Sequence, residues 1–198
     1  VSAGGGVASL KDIENLIRRG ADKVVINTQA WENRKIVEEG IKEFGSQAII
    51  LAMDVKANKQ KYEIFSYSGT KKTDYHLLEA LKIAEDLGVG EIFINSIDQD
   101  GTKKGFDLKL IKKVKNKTSL PIIICGGVGN SHDFLKAFPY KLSGLAAANF
   151  FHYTEHSVIS LKGYLRQNEK KEFIRHNSYV NYEKNKSKKR NQKSKNKR

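Results

Sequence analysis

The sequence has little cysteine, no long apolar run and, at its carboxyl end, no acidic residue. Cys125 is the single cysteine, which excludes an internal disulfide framework and fits the reducing cytoplasm. No apolar run approaches the roughly 18 residues that a membrane-spanning helix requires, and no secretory signal peptide is recognisable. These absences predict a cytoplasmic globular protein without a transmembrane segment.

Residues 184–198 carry charge of one sign only. This segment, KNKSKKRNQKSKNKR, contains nine lysines or arginines and no acid, so residues 1–183 hold +5 of the formal net charge of +14. Such a composition cannot bury apolar surface and predicts a disordered tail. We interpret the tail first as a solvated, solubilising appendage. The alternative is a tail that binds RNA, ribosomes or an anionic membrane through the release of counterions.

Short apolar strands alternate with amphipathic helices up to about residue 167. Because the strands are apolar along their whole length, we expect them to be parallel and covered by helices. The predicted strands are Val1–Gly5, Lys23–Thr28, Gln47–Val55, Glu91–Ile97, Leu120–Cys125 and Leu145–Phe150, with Tyr62–Tyr67 as a hairpin arm. The predicted helices are Ser9–Arg19, Glu32–Phe44, Tyr75–Leu87, Leu108–Lys115, His132–Phe138 and Ser157–Gln167.

Every predicted strand ends in small or reactive residues. These are Gly4-Gly5-Gly6, Asn27-Thr28, Asp54, Asp98-Asp100-Gly101, Gly126-Gly127 and Ala148-Asn149. In a (β/α)8 barrel the C-terminal ends of all strands converge on one site, whereas an open sheet uses only the ends beside its switch point. The pattern therefore predicts an α/β fold of the (β/α)8 TIM-barrel type over residues 1–168. An extension over 169–183 and the disordered tail are expected to follow it.

A faint internal repeat relates the two glycine-rich loops. A shift of 121 residues places Gly5-Gly6-Val7 on Gly126-Gly127-Val128 without a gap. Backbone N–H groups in such loops and at helix N-termini bind phosphate. Two similar anion sites at one barrel mouth predict a small-molecule substrate that is phosphorylated at both ends. The alternative is that each glycine pair only forms a tight turn.

Two motifs suggest metals, and neither fits. In a calcium loop that begins at Asp98, the positions that require an acid, a glycine and a glutamate are occupied by Thr102, Lys103 and Lys109. The H-x-x-E-H spacing of residues 152–156 resembles a zinc-peptidase motif, but it straddles the end of a strand and the start of a helix. We therefore predict no metal site and no cofactor.

Asp54 is the first candidate for proton transfer. It follows the apolar run ILAM directly, so its carboxylate is expected to point into the barrel mouth. A carboxylate near apolar walls can have a raised pKa and act as a general acid or base. Asp100 is the second candidate. The alternative is a structural role, in which Asp54 binds Lys56 or a loop amide.

Five segments together resemble the cyclase subunit of imidazole glycerol phosphate synthase (HisF). They are GGGVASLKDIENLIRRGADKVVINT, FGSQAIILAMDVK, SIDQDGTKKGFDLKLI, LPIIICGGVGN and AAANFFH. The resemblance runs from Val1 to about Gln167, through strands three to eight of the family's (β/α)8 barrel. It implies a lyase that adds ammonia to phosphoribulosyl-formimino-aminoimidazole-carboxamide ribonucleotide. The products are imidazole glycerol phosphate and an aminoimidazole carboxamide ribotide.

The resemblance also implies roles for particular residues. Asp54 stands where the family has a catalytic aspartate, with Asp100 on the substrate side. The substrate- and phosphate-binding positions are Gly6, Asn27, Thr28, Ser68, Gly69, Gly101, Thr102, Gly126, Gly127, Ala148 and Asn149. The ammonia gate and channel positions are Lys23, Glu91, Ser2 and Cys125. Ammonia comes from a glutaminase (HisH-like) partner on the N-terminal barrel face, to which Asp22 belongs.

The sequence also departs from the family pattern. The catalytic aspartate of the family's first strand is absent, so we expect the chain to be an inactive fragment of a longer protein. Asn149 replaces a serine, Asn95 a threonine and Ala8 an arginine. These changes look more like paralogues in surface-polysaccharide gene clusters, which are thought to deliver ammonia for amidating a sugar. A barrel that serves only as a scaffold for an RNA- or membrane-binding tail is the third hypothesis.

Overall fold

The computed structural model describes residues 1–59, 61–152 and 157–168. The chain divides into two compact units, residues 1–154 and 155–198. In the second unit the structure describes one helix, α8 (Val158–Asn168). Ser157 caps this helix, because its hydroxyl accepts a hydrogen bond from the Ser160 N–H at 3.1 Å. The predicted extension and lysine-rich tail lie outside the described residues.

The first unit is built on one sheet. Its strands are β1 (Ser2–Gly4), β2 (Lys23–Ile26), β3 (Ile49–Asn58), β4 (Lys61–Ser66), β5 (Lys71–His76), β6 (Glu91–Ser96), β7 (Ile122–Cys125) and β8 (Gly144–Leu145). Six of them are parallel in the order β1-β2-β3-β6-β7-β8, and β4 and β5 form an antiparallel hairpin on β3.

Helices follow the parallel strands. They are α1 (Leu10–Arg18), α2 (Thr28–Glu32), α3 (Lys35–Phe44), α4 (Leu77–Leu87), α5 (Leu108–Val114), α6 (Ser131–Ala137) and α7 (Asn149–His152), with short 3-10 turns at Ser46–Ala48 and Phe138–Tyr140. Parallel strands in chain order that alternate with helices are the arrangement of a (β/α)8 barrel. The predicted fold class is therefore confirmed. In the described part of the chain, no helix is long and apolar enough to span a membrane.

The strands bury one set of alternate residues more deeply than the other. The more deeply buried set includes Val24, Ile26, Ile92 and Ile94, which are fully buried. Successive side chains of a strand point to opposite faces, so these four lie on one face of the sheet. The residues between them, Val25 and Phe93, are only half-buried, as are Asn27 and Asn95 at the C-terminal strand ends. The sheet therefore holds its reactive residues on the face opposite its most deeply buried one.

The internal repeat extends to the helix caps. Ser9 and Asp12 form a reciprocal capping box at the start of α1, with N–H···O distances of 3.3 and 2.8 Å. Asn130 and Asp133, which the same shift of 121 residues aligns with them, form an equivalent box before α6 at 3.2 and 3.1 Å. Both glycine-rich loops thus enter their helices with the same hydrogen-bonding pattern.

Several predicted elements differ from the structure. The predicted strand Leu145–Phe150 is wrong, since β8 has two residues and α7 begins at Asn149. The predicted helix Glu32–Phe44 is divided, and the Asn33 side chain accepts a hydrogen bond from the Lys35 N–H at 3.2 Å between the two parts. Strand β5 was not predicted, because the polar segment KKTDYH has no apolar pattern and owes its extended form to pairing with β4.

Candidate active site

Asp54 lies at the C-terminal edge of the parallel strands, between two asparagines. Its Oδ2 accepts a hydrogen bond from Asn27 Nδ2 at 3.0 Å, and its Oδ1 accepts one from Asn95 Nδ2 at 3.4 Å. Asp54 and Asn95 are register partners on β3 and β6, and Asn27 follows β2. Three neighbouring strands therefore bring the carboxylate and its two amide donors together. The structural alternative, a bond to Lys56 or a loop amide, is not the arrangement observed.

The surroundings of Asp54 raise its pKa above the ordinary value of an aspartate. Burial is the largest cause, because it disfavours the charged carboxylate, and the negative charge of Asp100 adds to it. The amide donors of Asn95 and Asn27 act in the opposite direction, since they stabilise the ionised form. A half-buried carboxyl group with a raised pKa and a fixed orientation is suited to exchange protons with a bound molecule.

A cavity of about 520 Å³ opens beside Asp54. It is lined by glycine-loop, strand-end and hairpin residues, which include the predicted site residues Gly6, Asn27, Thr28, Asp54 and Ser68. Gly5, which precedes α1, also lines it. The first predicted anion site and the proton-transfer candidate therefore line one cavity.

A second, smaller cleft holds the other predicted anion-binding residues. It is lined by Asp100, Gly101, Gly126, Gly127, Val128, Ala147, Ala148 and Asn149. The strand ends of β6, β7 and β8 converge here, as the barrel interpretation requires. Asp100 belongs to this cleft, whereas Asp54 lines the first cavity. The charge of Asp100 nevertheless acts on Asp54, because it raises the pKa of that carboxyl group.

Among the residues considered for the C-terminal strand ends, Gly69, Asp98 and Thr102 line neither the cavity nor the cleft, the two recesses of the site. Thr102 donates its hydroxyl proton to the Gln99 carbonyl at 2.7 Å, and a Cβ on Gly69 would meet the Ile97 side chain. Asp98 accepts a hydrogen bond from the Ala57 N–H at 2.6 Å. The two hydrogen bonds give Thr102 and Asp98 roles in holding the loop after β6, and Gly69 lies beside Ile97 at the hairpin tip.

A partly buried ion pair lies at the opposite ends of the strands. Lys23 Nζ is 2.7 Å from Glu91 Oε2, and Glu91 is only 8% exposed. These residues begin β2 and β6, and Ser2 is the register partner of Lys23 on β1. Glu91, Phe93 and Asn95 alternate along β6, so their side chains point to one face, from the ion pair toward Asp54.

Cys125 lies at the upper end of this face. It is the register partner of Asn95. Burial, with the charges of Asp100 and Asp54, raises the pKa of its thiol to about 11, so the thiol is neutral near pH 7. At the lower edge, the Asp22 N–H donates to the Val1 carbonyl oxygen at 2.8 Å. In the described ranges, no three His, Cys, Asp or Glu side chains are placed to hold a metal ion. Residues 153–156 of the H-x-x-E-H segment lie outside those ranges.

Sequence comparison identifies the family of the chain. The family described as "Histidine biosynthesis protein" matches residues 1–157 of the chain. The chain belongs to this family. Its similar relatives include "Imidazole glycerol phosphate synthase subunit HisF" of Bacillus subtilis (strain 168), which is 41% identical over 169 residues. The same subunit of Pyrococcus furiosus is 39% identical over 167 residues, and that of Corynebacterium glutamicum (strain R) 38% over 173.

These matches cover most of the chain and part of each relative. Each alignment includes 84% of this chain and 66 or 67% of the relative, so the chain spans about two thirds of the length of the family members it matches. The predicted membership of the HisF family is confirmed, and with it the prediction of an enzyme of the cyclase class.

A group of three side chains near the first cavity, Glu32, Tyr67 and Lys71, is not among the residues predicted from the sequence. At the hairpin tip, the Tyr67 hydroxyl donates to Glu32 at 2.8 Å, and the backbone N–H of Tyr67 donates to Thr28 Oγ1 at 3.0 Å. Lys71 Nζ lies 3.0 Å from Glu32. The bonds from Tyr67 and Lys71 hold the pKa of Glu32 below its ordinary value. No local signal could reveal the group, because Glu32 and Tyr67 are 35 residues apart.

Proposed function

We propose that the protein that contains this chain catalyses the cyclase reaction of imidazole glycerol phosphate synthase. Ammonia and phosphoribulosyl-formimino-aminoimidazole-carboxamide ribonucleotide would give imidazole glycerol phosphate and the aminoimidazole carboxamide ribotide. The observation that carries the proposal is the position of Asp54, a half-buried carboxyl group with a raised pKa beside the larger of two glycine-lined recesses. In this proposal Asp54 transfers protons, while Asp100 orients the substrate from the second recess.

The two recesses support a substrate with a phosphate at each end. Gly6 and Thr28 would bind one phosphate, and Gly101 and Gly127 the other, because glycine loops expose backbone N–H groups to anions. Holding both ends places the reacting atoms beside Asp54 and lowers the entropic cost of the reaction. The predicted doubly phosphorylated small molecule thus remains the proposed substrate.

A glutaminase subunit is the proposed source of ammonia. The relatives are each named as one subunit of a synthase, which supports a partner for this chain as well. We place the partner at the N-terminal strand ends, where the Lys23–Glu91 pair lies. Ammonia would pass this pair and travel along the face formed by Phe93 and Asn95. The single cysteine agrees with a cytoplasmic complex.

A second candidate function is ammonia delivery for the amidation of a sugar, as in the paralogues of surface-glycan gene clusters. The specific observations that favour it are Asn149, which lines the second recess, and Asn95, which contacts Asp54 at 3.4 Å. Both asparagines stand where the cyclases have smaller hydroxyl side chains. The proposed RNA- or membrane-binding role of residues 184–198 lies outside the described residues and stays a sequence-based prediction.

Complementation separates the two candidates. We expect the complete gene to restore growth without histidine to a bacterial strain that lacks its own cyclase subunit, because only a histidine-pathway enzyme makes the missing intermediate. Growth is measured with and without added histidine, and an Asp54→Asn gene serves as the inactive control. Failure of an expressed, soluble product to restore growth would favour the sugar-amidation candidate.

Lys23→Met is expected to uncouple the glutaminase from the cyclase site. The change leaves the buried Glu91 carboxylate unpaired at the proposed ammonia entrance, so we expect the ratio of glutamine-dependent to ammonia-dependent rate to fall about tenfold. Both rates are measured on the complex with the glutaminase. Lys35→Met is the matched control, since Lys35 pairs with Glu39 at 3.7 Å on the exposed surface of α3. Equal loss of both rates would contradict a role in ammonia transfer.

A further inference from the structure

Trp31 is the single tryptophan of the chain and lies directly behind the Asp54 site. It is 6% exposed on helix α2. Its Nε1–H is shared between two acceptors, Asn27 Oδ1 at 3.2 Å and the Ala52 carbonyl oxygen at 3.1 Å. The indole packs against Tyr75, with ring centroids 5.8 Å apart. Trp31 therefore contacts Asn27 from the side opposite Asp54.

The asparagine amide between Trp31 and Asp54 has two distinguishable ends. An indole N–H can only donate, so it must face the Oδ1 end of Asn27. The Nδ2 end is then turned toward Asp54, to whose Oδ2 it donates at 3.0 Å. If the indole N–H were absent, the amide could rotate and place its oxygen against the carboxylate. That orientation would repel the ionised form of Asp54.

We propose that Trp31 is a positioning residue that fixes the amide of Asn27 in the orientation in which it donates to Asp54. The hydrogen-bonded series runs from the indole through the amide to the carboxylate, and each donor in it points toward Asp54. The catalytic consequence rests on the proposed function, since it assumes that Asp54 transfers protons. The orientation of the amide does not depend on that assumption.

The other groups around Asp54 set the size of the expected effect. Asn95, from β6, donates to the second carboxylate oxygen and does not depend on Trp31. Two titratable groups interact electrostatically with Asp54. They are Asp100, in the loop after β6, and Cys125, at the end of β7. Removing the indole N–H thus affects one of two donors and leaves the nearby charges unchanged.

Trp31→Phe tests the proposal, because phenylalanine keeps an aromatic ring beside Tyr75 but has no N–H. We expect the pKa of Asp54 to rise by about one unit, which corresponds to the loss of one hydrogen bond to a charged group. The measurement is a ¹³C NMR titration of the aspartate carboxyl groups in the full chain, with the Asp54 signal assigned from Asp54→Asn. An unchanged Asp54 pKa in a folded Trp31→Phe protein would overturn the proposal.

Tyr75→Leu is the matched control, since it removes the ring contact and keeps the indole N–H bonds. The Asp54 pKa should then stay at its original value, and an equal rise would assign the effect to packing instead. The unsubstituted protein offers a second measurement, because Trp31 is its only indole. Its fluorescence should change with the ionisation of Asp54 and lose that pH dependence in Asp54→Asn. A pH-independent emission in the unsubstituted protein would also overturn the proposal.

These readouts separate the inference from the proposed function. Both report the orientation and ionisation of groups in the site, and neither requires turnover. If complementation fails while Trp31→Phe raises the Asp54 pKa, the positioning role stands and the cyclase assignment does not. If the cyclase is active and the pKa is unchanged, the assignment stands and Trp31 has no positioning role.

Discussion

Asp54→Asn is expected to lower kcat/KM for the ammonia-dependent reaction by about 10²- to 10⁴-fold, the usual contribution of a positioned acid or base. The amide that replaces the carboxyl group cannot accept or release a proton at a useful pH. The binding surfaces of both recesses are retained, so the loss should appear mainly in kcat. The measurement is steady-state turnover of the ribulosyl nucleotide with ammonium salts, in the complete protein that contains this chain.

The fold should tolerate this substitution. Asn95 Oδ1 is buried without a hydrogen-bond partner in the described part of the molecule, and rotation of that amide would let it accept from an asparagine at position 54. Asp86→Asn is the control, because Asp86 is exposed on α4 and lies outside both recesses. Turnover that stays unchanged in Asp54→Asn would remove Asp54 from the proposed mechanism.

The raised pKa of Asp54 also predicts how stability depends on pH. A carboxyl group whose pKa is raised in the folded state is more readily protonated there than in the unfolded chain. Its contribution to stability is present below the unfolded value of about 3.8 and is lost as the pH rises through the folded value. Asp54→Asn removes this dependence, so urea unfolding should show the variant gaining stability relative to the unsubstituted protein as the pH rises through this window.

Gly127→Ala is expected to destabilise the folded protein by about 1–3 kcal/mol from backbone conformation alone, with a further steric cost. Gly127 has φ +90°, and a Cβ there would overlap the carbonyl oxygen of Gly105 and lie 2.9 Å from Gln99 Cβ. The same Gly105 donates its N–H to the Gly127 carbonyl at 2.7 Å. The free energy of unfolding is measured by urea denaturation followed by circular dichroism.

Gly20→Ala separates the two costs. Gly20 has a similar φ of +99°, but a Cβ there would meet no atom within 4 Å. The control should therefore show only the conformational cost, and Gly127→Ala should be more destabilised than Gly20→Ala. Equal destabilisation would mean that the loop around Gly127 can move away, in which case the second recess is not rigid.

The apolar strands and their polar ends could be predicted because both are local patterns. QAIILAMDV and EIFINSI each contain a continuous apolar run that ends at a polar residue, so a buried parallel strand followed by reactive residues is visible within ten residues. The hairpin arm β5 could not be found in this way, since KKTDYH has the composition of a loop. Its extended form depends on hydrogen bonds to β4, which no local pattern records.

The sequence by itself determined the family, the alternation of strands and helices, and the types of residue at the strand ends. These depend on composition and spacing along the chain. Only the tertiary structure decided that Asn27 and Asn95 hold Asp54, that Asp100 belongs to the other recess, and that Trp31 supports Asn27. Such contacts join residues on different strands and helices, and hydrogen-bond geometry exists only after the sheet has brought them together.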